Sequence, residues 1–260
     1  MAHPNFLLNS RTLIIGGSSG LGFAVASGAL SNGSKVHITS TTAEKLSTKI
    51  KQLQSLYPNA HVSGSTVDLS NTETLETDMQ SLLDAALKQT GGPLDHIVCT
   101  AGEGPNTTPL ADITTTRALS TFTVRYLAPL MIGKLIARNP GKYLNPAASS
   151  SITLTSGVLN HRPRRGIFML GAAGAVEVLT RSLAVELAPI RANAVIVGAV
   201  RTELIEKMTG GDEEFYKAAT LTREVGTPEA AAEGYLFCMR SALATGQGVA
   251  VDGGFFMLPG

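Results

Sequence analysis

Short runs of apolar and β-branched residues alternate along this chain with longer segments whose apolar positions recur at helical spacing. This alternation predicts parallel strands joined by crossover helices, an α/β fold with helices on both faces of the sheet. The predicted strands are Thr12–Gly16, Lys35–Thr39, His61–Val67, His96–Thr100, Ser151–Thr155, Ala192–Val197 and Gly248–Val251. The predicted helices are Gly20–Ser31, Ala43–Leu56, Asn71–Gln89, Thr114–Ala137, Gly166–Leu187 and Pro228–Arg240.

No repeat, low-complexity segment or linker divides the chain. Polar stretches at Glu103–Asp112, Asn139–Ser150 and Thr209–Thr227 predict surface loops between the regular elements. The last of these mixes glycine with charge, a composition that suits a lid over a ligand. We therefore predict a single domain over residues 1–260, with a substrate loop or lid near residues 200–227.

Composition narrows the class of protein. With 43% hydrophobic residues the chain can form a core without disulfides or metals, and its only two cysteines, Cys99 and Cys238, lie far apart in sequence. The 21 basic and 20 acidic residues are well mixed, which argues against a nucleic-acid-binding stripe. No apolar run approaches the ~20 residues of a membrane span, and the first residues lack the features of a secretory signal. We expect a cytoplasmic protein whose partners are neither nucleic acids nor membranes.

A glycine-rich turn joins the first predicted strand to the first predicted helix. Its sequence is Gly16-Gly17-Ser18-Ser19-Gly20-Leu21-Gly22. In this setting glycines let the backbone turn tightly and approach a pyrophosphate, which lies on the free N–H groups of the helix N-terminus. The turn and the βα units that follow it predict a Rossmann-type, doubly wound parallel sheet of about seven strands that binds a dinucleotide.

Segments along nearly the whole chain resemble the short-chain dehydrogenase/reductase superfamily. The glycine spacing is Gly-xxx-Gly-x-Gly, Asp68 follows the third strand, and Cys99–Gly102 stands where the family usually has Asn-Asn-Ala-Gly. Three later segments also resemble the family. Its fifth helix and sixth strand are matched by Ala184–Asn193, and its Pro-Gly-x-Val-x-Thr segment, without the proline, by Val197–Thr202. Its closing strand is matched by Gln247–Gly254. The resemblance implies cofactor contacts from Gly16, Ser18, Ser19, Gly20, Leu21, Gly22, Asp68, Leu69, Thr100, Ala101, Gly102, Gly198, Val200 and Thr202.

The end of the second strand bears on which dinucleotide is bound. Relatives that prefer NAD usually carry an acid there, whereas this chain has Ser40, followed by Thr41 and Thr42. Without a carboxylate a 2′-phosphate is not repelled, and three hydroxyls are available to donate hydrogen bonds to it. These residues predict NADP(H) as the cofactor. An alternative role, compatible with the first, is that they cap the helix that starts near Ala43.

The proton-donating pair of the superfamily is absent. Its Tyr-xxx-Lys positions are occupied by Met169 and Ala173, neither of which transfers a proton. The serine of the same apparatus is retained as Ser156, and Arg125 stands where the family has an asparagine that holds a relay water. Lys134 lies nine residues beyond Arg125, roughly half a turn out of phase at about 100° per residue, so we expect it to point away from the site.

Loss of this pair restricts the chemistry. An alkoxide that forms without a proton donor forfeits the ~10²–10⁴-fold of general acid catalysis, so ordinary ketone reduction is disfavoured. Hydride transfer to an iminium needs no such acid, because a cationic substrate gives a neutral product. A pericyclic cyclisation needs only shape and hydrogen bonds.

A further resemblance is to one subgroup of the superfamily. Ser151–Gly157 followed by His161–Pro163, with Arg125 upstream, looks like the reductase/Diels–Alderases of fungal prenylated indole alkaloid pathways. Ala128–Leu130 and Gly174–Glu177 support the match. Members of that subgroup reduce a cyclic iminium with NADPH and steer the resulting azadiene into a bicyclic product. They also lack the Tyr/Lys pair and use an arginine at the position of Arg125.

One residue of this region departs from the subgroup. Where its members carry an aspartate, this chain has Arg164, a fixed cation that favours a neutral or anionic substrate. The resemblance implies Arg125, Ser156 and Arg164 as catalytic candidates, although Arg125 also suits an ion pair at a subunit interface and Ser156 a strand cap. The same loop carries a cationic patch that either contacts substrate or is simply solvated, formed by His161, Arg162, Arg164 and Arg165.

Two functions remain open at this level. The first is an NADPH-dependent reductase of a C=N or activated C=C bond in specialised metabolism, coupled to cyclisation of an alkaloid-like heterocycle. The second is a redox-silent protein that binds the cofactor, either a cyclase, an isomerase or a non-catalytic protein. The broad apolar faces of the fourth and fifth helices predict a homodimer or homotetramer, although burial against the sheet explains part of that pattern.

Overall fold

The central element is a sheet of seven parallel strands, in a computed structural model that describes residues 3–102, 108–163, 171–203, 206 and 213–258. The strands are β1 (Arg11–Ile15), β2 (Lys35–Ser40), β3 (Val62–Thr66), β4 (His96–Cys99), β5 (Ser151–Gly157), β6 (Arg191–Val197) and β7 (Gly248–Val251). The described helices include α1 (Gly20–Ser31), α2 (Ala43–Leu56), α3 (Leu75–Thr90), α4 (Thr115–Phe122), α5 (Ala128–Arg138), α6 (Gly171–Glu186), α7 (Glu214–Ala218) and α8 (Pro228–Arg240).

The strand order fixes where a ligand can bind. The order is β3-β2-β1-β4-β5-β6-β7, and every neighbouring pair is parallel. Ile14 of β1 lies beside Ile38 of β2 and Val98 of β4, so these strands end at the same edge of the sheet. Chain order reverses between β1 and β4, and doubly wound sheets bind ligands outside the carboxyl ends of the strands at such a point. The predicted Rossmann-type fold is confirmed.

Apolar side chains bury both faces of the sheet. On one face Leu13, Ile97 and Ile152 pack with residues of α3, α5 and α6. On the other, Ile14 and Val98 pack with residues of α1, α2 and α8. The near-continuous apolar character of the central strands follows from this double coverage.

The third helix begins later than predicted. It starts at Leu75, whereas the sequence pattern placed its start at Asn71. The Asn71 side chain accepts a hydrogen bond from the backbone N–H of Glu73 at 3.0 Å, which holds these residues in a local turn instead of a helix. The predicted loop Thr209–Thr227 likewise contains the short helix α7, and its first residues, 209–212, lie outside the described part.

The predicted helix Thr114–Ala137 is interrupted. Between α4 and α5 the backbone forms a π-helical segment, Thr123–Leu127. Pro129 stands in the first turn of α5 and has no N–H to donate to the carbonyl of Arg125, four residues earlier, so the regular α pattern is broken there. Such segments often occur at functional sites, and this one contains Arg125.

The structure also bears on the cysteines, on membrane-spanning segments and on the helix predicted from Gly166. Cys99 and Cys238 are both buried free thiols. Among the described helices, no segment is long and apolar enough to cross a membrane. The first turn of the predicted helix Gly166–Leu187 lies outside the described residues, and the described part of that helix is α6.

A buried arginine ties β6 to the end of α8. Arg191 is 2% exposed and donates hydrogen bonds to four backbone carbonyls. Two of these, Cys238 at 2.6 Å and Met239 at 2.9 Å, belong to the last turn of α8, where a cation also meets the negative end of the helix dipole. The other two acceptors are the carbonyls of Ala148 and Ala244.

Two histidines in the sheet are buried. The ring nitrogens of His37 each lie 2.9 Å from a serine hydroxyl of β3, those of Ser63 and Ser65. His96 Nδ1 lies 2.9 Å from the hydroxyl of Ser151. Desolvation, with a smaller contribution from His61, lowers the pKa of His37 from 6.5 to about 4, and burial lowers the pKa of His96 to about 3. Both rings are therefore neutral in the folded protein at neutral pH.

These histidines make the free energy of unfolding depend on pH. Below about pH 6.5 the unfolded chain binds protons that the folded protein does not bind until about pH 4 for His37, so stability falls as pH falls through this window. The slope approaches about 1.4 kcal/mol per pH unit for each histidine. We expect the variant His37→Gln to have a pH slope shallower by about that amount, measured by urea unfolding at several pH values. His3→Gln, at an exposed position, is the control, and an unchanged slope in His37→Gln would contradict the assignment.

Candidate functional site

The glycine turn between β1 and α1 packs directly against the end of β4. Gly16 has φ +86°, and a Cβ atom there would lie 2.7 Å from the backbone nitrogen of Ala101. A Cβ at Gly22 would overlap the Gly16 carbonyl oxygen and lie 2.5 Å from Thr100 Oγ1. The N–H groups of Thr100 and Ala101 both donate to the Ile15 carbonyl, at 2.9 and 3.1 Å. The structure thus brings together the turn and the segment after β4, as the sequence predicted.

The start of α1 faces the segment after β6. A Cβ at Gly20 would lie 3.2 Å from the Thr202 methyl group, and Gly20 has φ +45°. Ser19 precedes the helix without a side-chain capping hydrogen bond, and no acidic residue stands in the first turn. The backbone N–H groups at this end of α1 are therefore available to an anion. Gly198 contacts the backbone of Asp252, which fixes the position of the same segment.

The end of β2 combines a cap with an unpaired hydroxyl. Thr42 accepts a hydrogen bond from Lys45 N–H, which confirms the capping role for that residue. Thr39 accepts from Gly16 N–H at 3.0 Å, so β2 is attached to the glycine turn. Ser40 is 5% exposed, and its hydroxyl has no hydrogen-bond partner. Thr41 is exposed beside it. An orphaned hydroxyl in this position fits a ligand that supplies an acceptor.

Asp68 follows β3 at the surface. Its carboxylate accepts hydrogen bonds from the hydroxyl and the N–H of Ser70, at 2.7 and 2.9 Å, and the hydroxyl contact is the larger cause of its lowered pKa. Val67 N–H donates to the Ser40 carbonyl at 3.0 Å, which places this segment beside the end of β2. Leu69 is buried in the core. Asp68 also lines a groove of about 790 Å³ between α2 and α3.

Arg125 lies over the end of β4. A Cβ at Gly102 would be 2.6 Å from the Arg125 guanidinium carbon, so the absence of a side chain at Gly102 makes room for this cation. Arg125 is half-buried in the π-helical segment. The structure thus places Arg125 beside the segment that follows β4, and its catalytic role stays a prediction.

A buried tyrosine, which the sequence pattern did not assign to the site, supports the strand ends near Arg125. Tyr235 of α8 is 0% exposed, and its hydroxyl lies 2.8 Å from Thr155 Oγ1, which in turn donates to the Cys99 carbonyl at 2.7 Å. Burial raises the pKa of Tyr235, while the hydrogen bond between Tyr235 and Thr155 and the charge of Arg125 act in the opposite direction. Because Tyr235 is enclosed, it supports the ends of β4 and β5 and does not replace the missing proton donor.

Ser156 is held by side chains that the sequence did not assign to the site. Its hydroxyl donates to Glu177 Oε1 at 2.5 Å and accepts from Asn160 Nδ2 at 2.8 Å. Glu177 stands one helical turn after Ala173 on α6, and a spacing of four residues was the signal available in the sequence. The side chain of Ala173 is buried and apolar, and its backbone carbonyl lies 3.4 Å from Ser156 Oγ. The oxygen Oδ1 of Asn160 is buried without a hydrogen-bond partner.

The cationic patch divides into parts with separate contacts. His161 Nε2 lies 2.9 and 3.0 Å from the two carboxylate oxygens of Glu177. Arg162 points elsewhere: it donates to the carbonyls of Phe255 and Leu258, at 2.6 and 2.9 Å, and so holds the C-terminal segment. Arg164 and Arg165, like Met169, lie outside the described residues.

Lys134 points away from the site, as expected. Its ammonium group forms an ion pair with Glu76 of α3 at 2.5 Å. This contact is the largest cause of the lowered pKa of Glu76. Lys134 is thus not a substitute for the missing lysine.

Comparisons with known proteins agree with this geometry. A family model described as "SDR-like rossmann domain" matches residues 3–258. The short-chain dehydrogenase/reductase ATR9 of Stachybotrys chlorohalonatus is 39% identical over 249 residues, which cover 94% of this chain and 96% of that relative. The short-chain dehydrogenase/reductase malC of Malbranchea aurantiaca is 33% identical and covers 97% of each chain. The solved structure of MalC reductase/Diels-Alderase superposes with a TM-score of 0.90 at 32% identity, over 98% of this chain and 99% of that one.

The close approach at the glycine turn generates a matched test. Gly16 and Gly91 have nearly the same φ, +86° and +87°, but a Cβ at Gly91 would meet nothing within 4 Å. We expect Gly91→Ala to cost only the roughly 1–2 kcal/mol of a left-handed backbone and to leave nucleotide binding intact. Gly16→Ala should destabilise the protein further and abolish the heat of NADPH binding in calorimetry. Unchanged NADPH affinity in folded Gly16→Ala would show that this turn does not hold the pyrophosphate.

Proposed function

We propose, from the premise that this chain belongs to the short-chain dehydrogenase/reductase family, that it is an NADPH-dependent reductase of a C=N or an activated C=C bond. Members of this family bind nicotinamide dinucleotides at the carboxyl edge of the sheet. Two observations together carry the proposal: the glycine cradle is complete, and Ala173, where the family has its lysine, has a buried apolar side chain.

The described residues fit the cofactor in three places. The cradle of Gly16, Gly20 and Gly22 has room for a pyrophosphate only because these residues lack side chains. The unpaired hydroxyl of Ser40 suits the 2′-phosphate that distinguishes NADP(H) from NAD(H), and Asp68 stands beyond it for the adenine. When bound, the nicotinamide supplies a hydride. Arg125 and Ser156 then flank the reacting bond in this proposal, with a substrate loop near residues 200–227.

Similarity to MalC supports a second, coupled activity. That protein is described as a reductase/Diels-Alderase, and the two chains share 32% identity and their fold over nearly their whole length. We extend the proposal to cyclisation of the reduced product, an alkaloid-like heterocycle of specialised metabolism. The expected setting is the cytoplasm, with the chain acting as a homodimer or homotetramer.

The competing function is a redox-silent cyclase or isomerase. The apolar Ala173 favours it as well, because a pericyclic step needs no proton donor. The two functions differ in one measurable quantity, the amount of NADPH consumed per molecule of product.

Cofactor preference tests the role of Ser40. We expect Ser40→Asp to weaken NADPH binding at least ~10-fold, because its carboxylate repels the 2′-phosphate, and to strengthen NADH binding through the ribose hydroxyls. Ser40→Ala should weaken NADPH binding by up to about 10-fold, the loss of one hydrogen bond. Calorimetric titration with each nucleotide measures both effects. Thr48→Asp adds the same charge at an exposed position of α2 and is the control. An NADPH-to-NADH preference that does not change in Ser40→Asp would remove Ser40 from the site.

Turnover tests the reductase activity and the role of Arg125. NADPH absorbance should fall when the protein is mixed with a cyclic iminium or a pyrazinone-like heterocycle, and Arg125→Gln should lower the rate by about 10²–10³-fold, as expected for loss of one preorganised electrostatic group. Arg181→Gln, exposed on α6, is the control. Product formation without NADPH loss would favour the redox-silent cyclase and sink the reductase assignment.

A further inference from the structure

The hydroxyl of Ser156 is the start of a continuous chain of hydrogen bonds that reaches the surface. Ser156 is 3% exposed, and its partner Glu177 has a side chain that is 15% exposed. Glu177 in turn contacts His161, whose side chain is 42% exposed. The three groups thus run from a buried hydroxyl, through a partly buried carboxylate, to an imidazole in contact with water.

Each link has a geometry suited to proton transfer. The Ser156–Glu177 separation of 2.5 Å lies in the range of charge-assisted O–H···O bonds, and His161 Nε2 lies within 3.0 Å of both carboxylate oxygens. Asn160 fixes the serine from the other side by donating to its oxygen at 2.8 Å. An exposed imidazole can exchange a proton with water and pass it on through either ring nitrogen.

The described charged groups around this hydrogen-bond chain have contacts elsewhere. His161 packs edge-on against Phe256, with ring centroids 5.1 Å apart. Of the charged groups that the structure describes on the adjoining segments, Arg162 is directed at the carbonyls of Phe255 and Leu258, and Asp252 accepts the N–H groups of Gly254 and Phe256. Arg181, one turn beyond Glu177 on α6, is exposed. Glu177 and His161 therefore face each other.

We propose that Ser156, Glu177 and His161 form a proton relay that supplies the proton for reduction of a neutral imine or enamide, in place of the tyrosine and lysine that this chain lacks. The inference rests on the proposed reductase function. Hydride addition at the imine carbon would move the π electron pair to nitrogen, which would take the hydroxyl proton of Ser156 once that hydroxyl turns from Glu177 to the substrate. The proton shared by Glu177 and His161 replaces it, and water reprotonates His161. Ser156 touches the substrate, whereas Glu177 and His161 act through it as positioning and relay residues.

A neutral substrate follows from this arrangement. A permanently cationic iminium needs no proton, so a relay would be superfluous for it. Arg125 lies over Gly102 and places a fixed positive charge at the same edge of the sheet. A cation there disfavours a cationic substrate and stabilises the electron-rich nitrogen that forms as hydride arrives.

The test uses two probes that differ in their need for a proton. These are methylpyrroline, at a pH where it is the neutral imine, and its N-methyl iminium salt, each supplied with NADPH. We expect Glu177→Gln to lower turnover of the neutral imine by about 10²–10⁴-fold and to leave the iminium salt within a few-fold of the unaltered protein. Glu186→Gln, at the exposed end of α6, is the control. Equal loss with both probes, or no loss with either, would overturn the relay.

The variant His161→Gln gives a second readout. It should lower turnover of the neutral imine and leave the iminium salt within a few-fold, whereas His3→Gln, at an exposed position, should leave both unchanged. Equal loss with both probes in His161→Gln would contradict the proposal.

A third readout needs no turnover. The short Ser156–Glu177 hydrogen bond predicts a proton resonance far downfield in the NMR spectrum of the protein without nucleotide, absent from both Ser156→Ala and Glu177→Gln. Persistence of this resonance in Glu177→Gln would contradict the assignment. If instead NADPH binds and neither probe is reduced by the unaltered protein, the reductase function fails and the relay fails with it.

Discussion

The close contact between the β1–α1 turn and the end of β4 is the constraint on which the remaining geometry depends. No side chain fits between Gly16 and Ala101, so the backbone of one element lies directly on the backbone of the next. This contact fixes the position of the N-terminus of α1 relative to the end of β4. Gly102 lies two residues after Thr100. Because Gly102 has no side chain, the Arg125 side chain fills the space beside it. One dense backbone contact thus positions both the cradle for an anion and the cation beside it.

Much of the fold was predictable because its elements are locally encoded. The bounds of α1, α2 and α8 agree with the sequence pattern, since each helix is delimited by residues whose local preferences are strong: a glycine turn, a capping Thr42, and Thr227 before a proline. The pattern failed where a local alternative competed with the helix. Asn71 delays α3 through its own side-chain hydrogen bond, and Pro129 forces the π-helical segment that contains Arg125. The spacing of apolar residues predicts neither the late start of α3 nor the π-helical segment.

The candidate site was predictable in part for a different reason. Positions such as Ser156 and Arg125 were found by their place in a chain-wide pattern, and the structure puts them at the expected edge of the sheet. The hydrogen-bond partners of these residues could not be predicted, because they depend on how side chains of different helices and strands meet in the fold. Glu177 looks like an ordinary helical surface residue in sequence, and Arg191 like an ordinary strand-end charge. The sequence alone does not indicate that Glu177 accepts a hydrogen bond from the buried Ser156 or that Arg191 joins β6 to α8.

The distribution of charge in the site connects these observations to chemistry. A basic loop at His161 and Arg162 first suggested a single cationic surface, but the structure divides it: Arg162 is committed to the C-terminal backbone and His161 to a carboxylate. Among the residues that the structure describes at the carboxyl edge of the sheet, Arg125 and the hydroxyl of Ser156, which donates to the carboxylate of Glu177, carry the proposed chemistry. In the proposed function these two features favour a neutral, polarisable bond over a cation, because Arg125 repels a positive charge and the hydroxyl can hydrogen-bond a heteroatom. As electron density moves toward a heteroatom during reduction, the cation and the hydroxyl both interact more strongly with the transition state than with the ground state. That difference, and not tight binding of the substrate itself, is what allows such a site to accelerate a reaction after the family's tyrosine and lysine have been lost.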